Sequence, residues 1–71
     1  MKLEQVLPML RDGKTITRTK PYKDKKTVVF VKLEDDRLKL KIIFSTGDLV
    51  NWAYYTLKTE DVMAENWEVA E

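Results

Sequence analysis

The chain has 71 residues, with 13 Lys and Arg against 12 Asp and Glu, a formal net charge of +1, and neither cysteine nor histidine. Such a length makes one domain with a small core and marginal stability, for which oligomerisation is the common remedy, so a homo-oligomer is expected. The missing residue types exclude disulfide staples, thiolate chemistry and histidine-based metal or acid–base sites, and the near-neutral balance excludes a strongly basic, non-specific nucleic-acid binder.

The charges are unevenly spread. Cations dominate between Arg11 and Lys41, and nearly all the charges from Glu60 to Glu71 are acidic. No apolar run approaches the roughly 20 residues of a membrane span, and the N-terminus carries no secretory pattern, so a soluble intracellular, cytoplasmic protein is expected.

From Met1 to Asp12, Leu3, Val6, Leu7 and Leu10 recur at helical spacing. The helix begins near Lys2 or Leu3, carries a kink at Pro8 and stops at Gly13. Lys14 to Arg18 is a short β-prone run with Ile16 on one face and Thr15 and Thr17 on the other. Residues 19 to 26, with Pro21 and four lysines, read as a solvated loop. Thr27 to Leu33 is a strand, Glu34 to Asp36 a turn, and Arg37 to Phe44 an alternating strand with Leu38, Leu40, Ile42 and Phe44 on one face. After the turn at Ser45, Thr46 and Gly47, Asp48 to Tyr55 reads as a further strand with Val50, Trp52 and Tyr54 on a shared face.

Thr59 reads as the N-cap of a short helix, with Glu60 and Asp61 where the helix dipole favours acids. Val62, Met63 and Trp67 then close over the sheet, so the stretch from Gly47 to Val69 reads as a lid. The fold class is α+β in a single domain, residues 1 to 71: a short N-terminal helix, an antiparallel meander of about four to five strands, and a short helix before a C-terminal strand.

An enzyme is not expected. Ser45 lies in a turn with no nucleophile-elbow context, and the carboxylate pairs Asp35 with Asp36 and Glu60 with Asp61 read as a hairpin turn and a helix start. Gly13 and Lys14 lack the surroundings of a phosphate-binding loop. No metal and no cofactor is assigned.

Binding remains. Residues 18 to 23, R-T-K-P-Y-K, bring a cation, a rigid proline and an aromatic together; they suit a nucleotide, through stacking and paired hydrogen bonds to phosphate, or are a solvated loop with Tyr22 pinned on the sheet. Trp52, beside Asn51 and near Tyr54 and Tyr55, fills a core or rims a pocket. Arg37, Lys39 and Lys41 are a stripe that suits nucleic acid or keeps an exposed sheet face soluble; of these two, nucleic acid is the weaker reading.

The N-terminal L-E-Q-V-L-P-M-L-R-D-G-K-T-I-T-R-T-K-P-Y, and the C-terminal G-D-L-V-N-W followed by D-V-M-A-E-N-W-E-V, resemble the opening and ending of the second class of Thoeris anti-defence proteins. These are small phage and prophage proteins that sequester cyclic nucleotide-type immune signals. The resemblance covers about two thirds of the chain. It implies a non-enzymatic homo-oligomer, a tetramer in preference, with pockets between subunits for cyclic ADP-ribose isomers or cyclic oligonucleotides. On the matching positions Arg18 falls on the family arginine, Tyr22 on an aromatic that is usually tryptophan, Trp52 on the strand tryptophan and Trp67 on the closing one, while Asn66 stands where the family prefers aspartate. The implied ligand-binding residues are Arg18, Tyr22, Asn51 and Trp52. Some relatives inhibit a CRISPR nuclease, so the alternative is a protein-binding inhibitor of a host defence enzyme, working through the face around Lys39, Lys41 and Ile43.

Overall fold

The computed structural model describes the backbone of residues 1–22 and 25–70 and the side chains of residues 1–20 and 26–70. In chain order it contains α1 (Leu3–Arg11), β1 (Ile16–Tyr22), β2 (Lys25–Glu34), β3 (Arg37–Phe44), β4 (Leu49–Tyr54), α2 (Thr59–Met63) and β5 (Glu68–Val69). The strands form one antiparallel sheet in the order β4-β3-β2-β1-β5. The expected α+β architecture is the observed one.

α1 is closed at both ends by local hydrogen bonds. The Lys2 backbone N–H donates to Gln5 Oε1 at 2.8 Å. At the other end Gly13 N–H donates to Leu10 O and Lys14 N–H to Met9 O, at 3.1 and 3.0 Å, a closure that needs a left-handed residue and finds it in Gly13 at φ 85°. The helix runs through Pro8 to Arg11. Its buried stripe, Leu3, Val6 and Leu10, meets Ile16, Val29, Val31 and the fully buried Trp67.

The β1–β2 hairpin extends further than the sequence suggests. Residues 19–22 and 25–26, expected in a loop, continue the ladder, with Pro21 opposite Lys26 and Tyr22 opposite Lys25. β5 covers only Ile16 and Thr17 of β1, so the rest of β1 is an edge, where a residue without an N–H costs no ladder bond. The structure of Lys23 and Asp24, and the Tyr22 side chain, lie outside the described residues.

β2 and β3 are joined by Asp35 and Asp36, at φ 54° and 62°, the double left-handed geometry of a two-residue hairpin turn that Asp tolerates. β3 and β4 then slip past each other. Leu40 faces Ala53 and Ile42 faces Val50, so β4 spends one extra residue there, a bulge at Asn51 and Trp52. Asn51 Oδ1 accepts from the Trp52 backbone N–H at 2.9 Å. A one-residue slip exchanges faces. Val50 therefore shares a face with Ile42, while Trp52 and Tyr54 turn to the opposite face, which corrects the expectation that all three point one way.

The closing segment also differs in detail. α2 starts at Thr59 with Lys58 before it and no side-chain cap, so Thr59 is the first helical residue and not the cap. Of the three residues expected to close the core only Trp67 is buried; Val62 and Met63 are 47% and 73% exposed. The indole Nε1–H donates to Asp61 O at 2.9 Å, and the Asn66 amide donates to Thr19 O at 2.8 Å. These bonds fix Trp67 and the chain around it against β1.

Candidate ligand-binding face

The register divides the sheet into two faces. Ile16, Arg18, Val29, Val31, Leu40 and Ile42 share one with α1 and Trp67. Their neighbours Phe30, Lys32, Lys39, Lys41 and Ile43 share the other, joined by Trp52 and Tyr54. α1 packs on the first face, and the second is open. Alternation in β2 and β3 puts cations on that open face because the core claims every other residue.

Aromatic rings and ammonium groups interleave there. Lys32 Nζ lies 4.3 Å from the Trp52 ring centroid. The Arg37 guanidinium carbon lies 4.9 Å, and Lys39 Nζ 5.7 Å, from the Tyr54 ring centroid. Contacts of this kind hold cations over flat rings by about 0.5–1 kcal/mol each at exposed sites. A hollow of about 280 Å³ is lined by Thr15, Phe30, Lys41, Ile43, Trp52 and Ala70. A second, of about 480 Å³, lies at the Tyr54 end against Arg37, Leu38, Tyr55, Thr56 and Leu57. Each hollow has a ring and a cation in its wall.

Glu34 sits between two of the cations. Its carboxylate accepts from Lys39 Nζ at 2.8 Å and lies 3.2 Å from Lys32 Nζ. Hydrogen bonds from Lys39 and then Lys32 hold its carboxyl below the ordinary carboxylate range, and the same Glu34 bond raises the Lys39 ammonium.

The residues singled out from sequence are not gathered in one place within the chain. Trp52 is half-buried on the open face, and the exposed Asn51 beside it shapes the bulge. Arg18 lies on the opposite face, 9% exposed as a side chain, with Nη1 donating to Asp61 Oδ1 at 3.3 Å and its guanidinium carbon 5.6 Å from the Trp67 ring centroid. Asp61, read from sequence as a dipole partner, is thus a buried counter-ion. Its burial and Arg18's share one origin: Arg18 follows Ile16 by two residues, so it faces the core. Among the described residues, Arg18 Nε and the buried Thr27 Oγ1 find no hydrogen-bond partner. Phe30, Lys32 and Glu34 were not singled out by sequence; their signal is the alternation with Val29, Val31 and Leu33.

Among the described residues no group of three or more acidic side chains stands where it could hold a metal ion, and no helix is long and apolar enough to cross a membrane. Comparison with curated proteins and with solved structures returned no match. A comparison with protein-family models matched the Thoeris anti-defense 2-like domain over residues 1–70. With nearly the whole chain spanned, the protein belongs to the Thoeris anti-defense 2-like (Tad2-like) family.

Proposed function

We propose that this protein binds and sequesters cyclic nucleotide-type immune signals, cyclic ADP-ribose isomers or cyclic oligonucleotides, without cleaving them. Its family name indicates a role against Thoeris defence. The observation that carries the finer reading is the open sheet face, where Trp52 and Tyr54 alternate with Lys32, Arg37, Lys39 and Lys41. Rings of this kind stack on nucleobases, and cations of this density attract phosphates. Sequestration asks for nothing more, since no bond is made or broken.

Trp52 is the proposed stacking residue and Asn51 the residue that turns it outward. Arg18, tied to Asp61, is proposed to position α2 and Trp67, and Tyr22 remains a proposed contact from the end of the β1–β2 hairpin. A hollow of about 280 Å³ beside Trp52 is below the usual range of about 300–1,000 Å³ for enclosing a ligand. We therefore place the complete pocket between copies of the chain, in a homo-oligomer with a tetramer favoured. The exposed Leu49 and Val50 on edge strand β4 supply apolar surface for such pairing.

The test is retention. The protein is incubated with cyclic ADP-ribose isomers and with cyclic di- and trinucleotides, separated from free ligand, and heat-denatured. Intact ligand released from the wild type and lost from Trp52→Ala supports the reading; no retention, or recovery of cleaved product, refutes it.

A further inference from the structure

Lys32 and Lys39 are directly opposed across β2 and β3. Like charges at facing positions of an antiparallel pair destabilise it, because their Cβ atoms stand only about 5 Å apart. The chain offsets that repulsion with one carboxylate. Glu34 Oε1 lies 2.8 Å from Lys39 Nζ and Oε2 lies 3.2 Å from Lys32 Nζ. A carboxylate gripped by two ammonium groups has the charge and the donor arrangement of a bound phosphate.

The two lysines also lead to the two rings. Lys32 reaches over Trp52 and Lys39 toward Tyr54, so the open face has the order ring, ammonium, carboxylate, ammonium, ring. The chemistry matches a guest in which phosphate links two flat heterocycles. The Glu34 side chain is 44% exposed at the end of the β2–β3 hairpin, so it has free solvent into which to swing when a stronger anion arrives. Its lowered carboxyl keeps it charged, and bridging, throughout the neutral range.

Resting on the reading of this face as the seat of the guest, we infer that Lys32 and Lys39 form a phosphate subsite and that Glu34 is an internal placeholder occupying it until a phosphate or pyrophosphate group displaces it. Glu34 then sets selectivity. A weak anion such as chloride or acetate does not dislodge a tethered carboxylate, whereas a pyrophosphate, with a charge on each phosphoryl unit, meets both ammonium groups at once and makes more charge-assisted hydrogen bonds than Glu34 can. The uncharged remainder of the guest finds the rings only once the ammonium groups have followed the phosphate.

The experiment uses inorganic pyrophosphate as the probe and adenosine as the uncharged control, with the side-chain NMR signals of the lysines as the readout. Pyrophosphate is expected to shift Lys32 and Lys39 at lower concentration than the solvent-exposed Lys2 and Lys58, and adenosine to leave them in place. Glu34→Gln removes the competitor and is expected to tighten pyrophosphate by about two- to five-fold at low salt, the scale of an exposed ion pair. Lys32→Met and Lys39→Met, made singly, are each expected to abolish the selective shift of the lysine that remains while the backbone spectrum stays folded. Uniform movement of all lysines, or unchanged or weaker binding in Glu34→Gln, overturns the placeholder. Because pyrophosphate replaces the signal molecule, that failure is separable from failed retention of cyclic nucleotides, which refutes the functional proposal instead.

Discussion

Replacing Asp61 by Asn leaves the Arg18 guanidinium charged, 9% exposed and without its counter-ion, since the pair has side-chain exposures of 9% and 2% and an N to O distance of 3.3 Å. Uncompensated buried charges of this kind cost about 3–5 kcal/mol. A domain of 71 residues has about 4–11 kcal/mol in total, at about 0.05–0.15 kcal/mol per residue. Asp61→Asn therefore consumes about a quarter or more of the stability, and lowers Tm by more than about 10 °C given about 4–8 °C per kcal/mol for a domain of this size. Urea denaturation followed by tryptophan fluorescence and far-UV circular dichroism measures the loss. The double variant Arg18→Met/Asp61→Leu removes both charges and is expected to recover most of it, as apolar replacements of buried pairs often do. If Asp61→Asn lies within about 1 kcal/mol of the wild type, the pair does not hold α2 to β1, and Arg18 is free for a ligand after all.

Three further outcomes follow from the same geometry. Trp67→Ala removes the largest fully buried side chain and its bond to Asp61 O, so a loss of about 3–5 kcal/mol is expected in the same denaturation assay. Trp52→Ala leaves the core cluster untouched and is expected to keep the circular dichroism spectrum and Tm of the wild type while weakening ligand retention about five- to 150-fold, the equivalent of about 1–3 kcal/mol of stacking. Glu34 and Glu60 have folded pKa values lowered from 4.5 by lysine hydrogen bonds, from Lys39 and Lys20 respectively. A lowered folded pKa gives a stability contribution that is present above the unfolded value and lost as pH falls through the folded one. Denaturation curves across the acid range are expected to show that small loss, and Glu34→Gln and Glu60→Gln to flatten it.

Periodicity made most of the fold legible before the structure. α1 and the β2–β3 hairpin repeat apolar residues at the period of the element they form, and their core side follows from that count; β4 is legible as a strand but not in which way its residues face. The end of β1 was hidden because Pro21 and a run of lysines resemble a loop; their tolerance in a strand depends on an edge that only the short β5 pairing reveals. The bulge at Asn51 and Trp52 was hidden for a related reason, since one inserted residue reverses every later side chain without changing composition.

The site was legible in its residue types more than in its grouping. Trp52 was singled out as pocket or core, and the structure puts it on the open face beneath Lys32. Arg18 was read for its charge, although its spacing from Ile16 already pointed it toward the core face and its partner Asp61 lies 43 residues away in the chain. In the sequence Glu34 reads as part of a turn. Nothing in a linear reading brings one carboxylate between Lys32 and Lys39; the cross-strand register does.

Titration of the protein with a cyclic oligonucleotide or a cyclic ADP-ribose isomer, monitored by tryptophan fluorescence, bears most directly on the central claim, because one indole is sealed in the core and the other sits on the open face. Saturable quenching in the wild type that disappears in Trp52→Phe is the predicted result. Unchanged emission throughout the titration with every such ligand, or quenching that persists in Trp52→Phe, contradicts the account.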